Sequence, residues 1–197
     1  MERENQRITI TKRLLKENML RLLKEKEMEK ISVSELCREA GINRATFYRH
    51  YGIPRDVLME IQMDFYHELR QTIPLPACAE DVKPTIKKLC SFMADHMELL
   101  RIIIQSNSDA DFAAFINELY LEIWAEIGQF GVLQKLNHED AKMLTLYFAG
   151  GSYFVMRHWL LGNVRKSPEE IALYLYDLLS KTDWQIIGSH LELIAGI

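Results

Sequence analysis

Apolar residues recur along this chain at spacings of three and four, the period of a helix with one buried face, and no strand-like alternation competes with it. The first series is Ile10, Leu14, Leu15, Met19, Leu22 and Leu23, with Lys12, Arg13, Lys16, Arg21 and Lys24 between its members, and it predicts an amphipathic helix. Ser32-Val33-Ser34-Glu35 then has the form of a capping box, in which Ser32 accepts from the Glu35 amide and Glu35 reaches back. The helix it opens turns Val33, Leu36, Cys37 and Ala40 inward. It halts at Gly41, because glycine takes the left-handed conformation that ends helices, and Ile42 plugs the turn. Asn43 caps a third short helix, Arg44 to Tyr51.

A fourth helix is expected from Pro54 to about Thr72, marked by Val57, Leu58, Ile61, Phe65 and Leu69, with the proline at its start. Pro74, Pro76 and Pro84 follow closely, and we expect a loop across them. Helical spacing resumes with Ile86, Leu89, Cys90, Met93 and Met97, and again with Phe112, Phe115, Ile116, Leu119 and Ile123. Asn137 caps another helix, with Glu139 and Asp140 favourably placed in its first turn. The last clear helix opens at Ser167-Pro168-Glu169-Glu170, a second capping box, and carries Ile171, Leu175 and Leu178 as a stripe. The apolar tail 184–197 shows neither cap nor polar face.

Helix, glycine turn, short helix is the helix-turn-helix order. Stepping about 100° per residue along the third helix puts Phe47 and Tyr51 together, facing the first two helices. Ala45, Thr46 and Arg49 lie opposite, Tyr48 and His50 flank them, and Arg44 sits near the amino-terminal end. Such a small, polar, cationic face suits a DNA major groove: arginine bonds guanine bidentately, and Ala or Thr methyls touch thymine. Flanking Tyr and His would reach phosphates, which set register without reading sequence. Taken singly, Arg44, Arg49 and His50 also fit a solvated helix face, and Tyr48 a half-buried packing role.

Charge bears on that choice. The net charge of −4 averages +4 over residues 1–51, from 12 Lys or Arg against 8 Asp or Glu, and −8 over the remainder, from 12 against 20. A basic amino-terminal part on an acidic body suggests that only the first part meets a polyanion.

The string VSELCREAGINRATFYRHY resembles the DNA-binding domain of TetR-family transcriptional regulators, over roughly Thr9 to Gln62. The matching features are Ala40-Gly41-Ile42 in the turn, Thr46-Phe47-Tyr48 in the recognition helix, and His50-Tyr51 closing it. The resemblance implies an all-α protein. Its amino-terminal three-helix helix-turn-helix domain would span 1–53 (helix-turn-helix about 32–51), and a larger helical ligand-binding and dimerisation domain 54–197. It also implies that Ala45, Thr46 and Arg49 contact bases, and that Thr46, Tyr48 and His50 contact phosphates, with Arg44 beside them. The family commonly has a phosphate-binding lysine at the start of the fourth helix; here Pro54 stands at that place and the neighbouring Arg55 replaces the charge.

By the same resemblance, helices over roughly Asp140 to Leu161 and Pro168 to Ser180 pack against their copies in a homodimer, and the larger domain encloses an effector. The aromatic and methionine stock supplies pocket candidates: Phe65, Met93, His96, Met97, Tyr120, Trp124, Tyr147, Met156 and Trp159. A protein partner is an equally open input. The resulting expectation is a ligand-responsive repressor on a palindromic double-stranded operator. The alternatives are an activator or DNA-associated adaptor without a small-molecule site, and a helical enzyme or carrier. Operator, regulated genes, effector and sign of control are not readable from the chain.

The remaining chemistry is narrow. A chain of 197 residues that is 48% apolar buries roughly 70% of its unfolded surface without a staple. Cys37, Cys78 and Cys90 are too few and too uneven for a disulfide framework or zinc knuckle, which fits a reducing cytosol. There is no His-x-x-x-His or Cys-x-x-Cys pair, no phosphate-cradling glycine loop and no nucleophile elbow around Ser152, so we expect no enzyme, metal or cofactor. His138, Glu139 and Asp140 are consecutive and share no helix face. The longest uncharged run, Met143 to Met156, has fourteen residues, short of the roughly twenty a membrane helix needs. Nine Lys or Arg in the first thirty residues leave no signal-like core, and the expected location is the cytoplasm. Within that run Gly150 and Gly151 each cost about 1 kcal/mol relative to alanine, implying an interface, a cavity or a kink.

Overall fold

The computed structural model describes residues 2–73, 76–105, 121–122 and 137–181, which form eight α-helices and no strand. They fall into two compact units, one of residues 2–72 and 98–105, the other of 73, 76–97, 121–122 and 137–181.

In the first unit, α1 (Glu2–Leu23) packs on α2 (Val33–Ala40) and on α4 (Pro54–Thr72), and α3 (Arg44–Tyr48) packs on α2. Leu15, Met19, Leu36, Phe47, Val57 and Leu58 are fully buried and make the centre of this core. α1 begins eight residues before its first periodic apolar residue, Ile10, and Gln6 to Ile10 are exposed, so helical backbone runs on past the buried stripe. A single 3₁₀ turn, Met28–Lys30, drops Met28 into the core between α1 and α2. Ion pairs fasten the outside: Arg21 to Glu39 across α1 and α2, Lys26 to Glu35 at 2.6 Å, and Lys24 to Glu98 at the start of α6 (Met97–Gln105).

In the second unit α5 (Ala79–Asp95) packs against α8 (Pro168–Lys181), with Val82, Ile86, Leu89 and Cys90 on one side and Ile171, Ala172 and Leu175 on the other. Burial pushes the Cys90 thiol up to about 12, so it behaves as a small apolar group. α7 (His138–Leu160) buries Ala149, Ser152, Met156, Trp159 and Leu160 along one side. Its cap is as expected, Asn137 accepting from the Asp140 amide at 3.0 Å, and the capping box of α8 closes reciprocally between Ser167 and Glu170 at 3.2 and 2.7 Å.

Three expectations are corrected. The loop across Pro74 to Pro84 ends early: α5 starts at Ala79 and holds Pro84 inside it. Proline there removes one bond to a carbonyl four residues back, at about 3 kcal/mol, and the burial of Val82, Ile86 and Leu89 at about 1.5–3 kcal/mol each outweighs that loss. The series Ile86 to Met97 is two helices, broken at His96 (φ −102°, ψ 15°). The third helix stops at Tyr48 instead of Tyr51, because the amides of Arg49 and His50 bond the Thr46 and Phe47 carbonyls three residues back at 3.3 and 2.9 Å and tighten the chain. The members of the expected series, Phe112, Phe115, Ile116, Leu119 and Ile123, and the tail 184–197 lie outside the described residues.

Candidate nucleic-acid interface

The site is built on the turn between α2 and α3. Ser32 accepts from the Glu35 amide at 3.2 Å, fixing where α2 begins; the Glu35 carboxylate, expected to reach back to Ser32, is held by Lys26 instead. At the other end Gly41 sits at φ 66°, ψ 27°, its amide bonding Arg38 O at 3.2 Å while Ile42 N bonds Cys37 O at 2.9 Å. Those two bonds satisfy carbonyls that a helix end leaves open and turn the backbone sharply. Asn43 then accepts from the Thr46 amide at 2.7 Å and starts α3.

Phe47 is wholly buried and Tyr51 nearly so, their rings 5.7 Å apart, which fixes the rotation of α3 about its axis. The opposite side is consequently outward: Ala45, Tyr48 and Arg49 are exposed and Thr46 and His50 half-buried. Tyr48 is 58% exposed, its ring edge-on to Phe47 at 5.5 Å. Arg44 is exposed as well, and its guanidinium donates to Ser34 Oγ, so it also ties α3 to α2.

At the start of α4 the expected replacement of a lysine is reshaped by a carboxylate. Asp56 Oδ2 accepts from the amides of Gly52 and Ile53 at 2.7 and 3.0 Å, so those donors are bound within the chain. Arg55, half-buried, is the cation at this corner.

A group absent from the sequence reading holds α3 in place. Glu60 on α4 accepts from the Tyr51 hydroxyl at 2.8 Å, from Lys12 at 3.0 Å and pairs with Lys16 at 2.7 Å; Lys16 also reaches Asp64 at 2.6 Å. Partial burial disfavours its charge, but the hydrogen bonds from Lys16, Lys12 and Tyr51 prevail and hold the carboxyl down to about 2. The Tyr51 hydroxyl is pushed up, by burial first and by its bond to Glu60 second. The signal was present in the sequence as two matched pairs four residues apart, Lys12/Lys16 and Glu60/Asp64.

The candidate pocket residues are spread over both units. Phe65 is buried in the first; Met93, Met156 and Trp159 are buried in the second, where Trp159 Nε1 donates to Lys166 O at 2.8 Å. His96 Nδ1 donates to Phe92 O at 2.9 Å with its ring against that phenyl, and Met97 is half-buried. Tyr147 is 72% exposed. Tyr120 and Trp124 lie outside the described residues. Among the described residues no cluster of His, Cys, Asp or Glu is arranged to hold a metal ion, and no helix is long and apolar enough to cross a membrane.

Comparison with known proteins agrees with this geometry. Residues 19–56 match the family pattern described as bacterial regulatory proteins, tetR family, and residues 80–181 match one described as a transcriptional regulator C-terminal region. The chain is 20% identical over 177 residues to the uncharacterised HTH-type transcriptional regulator YxbF of Bacillus subtilis (strain 168), covering 85% of this chain. It spans 44% of the length of that curated relative. Among solved structures, a TetR transcriptional regulator from Streptococcus agalactiae 2603V superposes with a TM-score of 0.70 at 18% identity, over 89% of this chain and 96% of that one. The dihydroxyacetone kinase operon activator DhaS superposes with a TM-score of 0.59 at 17% identity, over 87% and 94%. With one matched pattern covering the helix-turn-helix and the other more than half of the chain, this protein belongs to the TetR family of bacterial transcriptional regulators.

Proposed function

We propose that the chain is a homodimeric, ligand-responsive repressor whose two heads read the half-sites of a palindromic operator in successive major grooves, about 34 Å apart. The carrying observation is the rotation of α3, which buries Phe47 and turns Ala45, Thr46 and Arg49 outward together. On this reading Ala45, Thr46 and Arg49 contact base edges, while Tyr48, His50, Arg44 and Arg55 contact or approach phosphates. Residues 1–53 are the reading head and 54–197 the regulatory and dimerisation part, although by compactness α4 groups with the head. The protein acts in the cytoplasm, where its operator is.

The dimer reading rests on α7 and α8. Met143, Tyr147 and Phe154 form an outward stripe on α7, the last 60% exposed, and α8 exposes Leu173, Tyr174 and Leu178. Gly150 and Gly151 interrupt the α7 stripe, and a Cβ at either would meet nothing within 4 Å. Among the described residues no contact requires glycine there, whereas close approach of a second copy of the helix would.

Effector occupancy in the larger part would alter the separation or tilt of the heads and so the fit to both half-sites. Repression is our assignment of sign; DhaS, of the same fold, is by its name an activator, and a promoter assay distinguishes the two. The test of the whole reading is selection of duplexes from a random library by the full-length protein. A recovered palindrome, bound in preference to scrambled duplex with an affinity that falls as salt rises, is expected. No preference over scrambled duplex would overturn it.

A further inference from the structure

The cations of α1 are sorted by partner. Lys12 and Lys16 are taken up by Glu60 and Asp64 at 2.6–3.0 Å, Arg13 pairs with Glu17 at 3.8 Å, and Arg21 with Glu39. Arg7, exposed in the early turns of the same helix, has no carboxylate partner among the described residues. It faces a different neighbourhood. Arg7 and Thr11 line one wall of an open cleft of about 510 Å³ whose other wall is Asn43, Thr46, Arg49 and His50, with Ile8 and Ile10 also contributing from α1. No acidic residue lines it.

We propose that this cleft between α1 and the start of α3 is a seat for one sugar-phosphate strand of duplex DNA, with Arg7 as its phosphate-binding cation. The inference rests on the DNA reading above and adds a residue outside the helix-turn-helix. Three features point to a polyanion strand. Two arginines and a histidine are among the cleft's lining residues and no carboxylate is. Thr11, Thr46 and Asn43 add neutral hydrogen-bonding groups to the lining. The apolar side chains of Ile8 and Ile10, the latter 48% exposed, offer a surface for deoxyribose. The cleft shares Thr46, Arg49 and His50 with the reading surface, so a strand lying in it would run past the base-contacting face of α3. Arg7 would then fix register without reading sequence.

The test compares full-length wild type with Arg7→Ala and Arg13→Ala, the second removing the same charge from the same helix away from the cleft. Each is titrated over a chloride series with the library-selected duplex and with a scrambled duplex of equal length. The expected result is that Arg7→Ala lowers affinity by the same factor on both duplexes and reduces the slope of log affinity against log salt by about 0.9 per head. Arg13→Ala should leave that slope unchanged. Equal slope losses in the two variants would mean a general field and would overturn the proposal, as would an unchanged slope in Arg7→Ala beside a salt-dependent wild type. Inorganic phosphate at matched ionic strength should compete with DNA more strongly on the wild type than on Arg7→Ala; phosphate that stabilises the wild type through Arg7 without weakening its DNA binding would make the cleft a free-anion site and overturn the proposal. A wild type whose binding ignores salt overturns the DNA reading itself.

Discussion

Arg49 and Tyr48 are adjacent in the chain and both exposed, yet they are assigned different work. Arg49→Ala should weaken binding to the selected duplex by about 1–3 kcal/mol and leave scrambled DNA nearly unaffected. Tyr48→Phe should lose affinity by a similar factor on both, as a phosphate contact does; competition titrations measure the two ratios. Glu60 acts behind them. Its carboxyl is depressed from 4.5 to about 2, so its contribution to stability is full above the unfolded value and fades as pH falls through about 2. Glu60→Gln should therefore cost on the order of 2 kcal/mol at pH 7, discounted for its partial exposure, with the gap to wild type narrowing between pH 4.5 and 2. Urea unfolding at a series of pH values gives that difference, and a gap independent of pH would remove Glu60 as a charged anchor. The outward set on α3 was legible because one short helix has one buried side. Glu60 was legible only as half of a pattern: the spacing of Lys12/Lys16 and Glu60/Asp64 is in the chain, but that the two pairs meet depends on the packing of α1 on α4.

Elements were readable where a side chain marks their ends. Ser32, Asn43, Asn137 and Ser167 each cap the helix expected of them, because a capping bond spans only three residues and is a local property. Gly41 belongs with them: at φ 66° an alanine would be strained by about 1–2 kcal/mol even though its Cβ would meet nothing within 4 Å. Gly41→Ala is expected to lower the unfolding free energy by that amount and to weaken specific more than random DNA binding, as α3 loses its angle to α2. Denaturant unfolding beside duplex titration checks it. Pro84 was misread for the opposite reason. Its cost is local, while the burial that offsets it is tertiary and comes from the seating of α5 on α8.

At the scale of the molecule, composition divides the chain into a basic amino-terminal part and an acidic remainder but does not reveal which apolar residues face outward. Met156 and Tyr147 looked alike as pocket candidates; one is 1% exposed, the other 72%. Helical period separates a face from its opposite without saying which is covered, and that follows only from how α7 rests on its own unit. The outward stripe carries the prediction for assembly. Phe154→Glu places a charge in the proposed interface and should halve the mass found by sedimentation equilibrium, with operator affinity falling because a single head reads only one half-site. A dimer that survives this change would move the interface elsewhere.

The corner between α3 and α4 is held at three successive residues: Tyr51 by Glu60, and Gly52 and Ile53 by Asp56. A joint clamped in this way has no slack of its own. In the proposed dimer each head would swing as one piece with the helix that carries it, so a palindrome lengthened by a single base pair would be met by a stiffer gauge than a looser joint would offer.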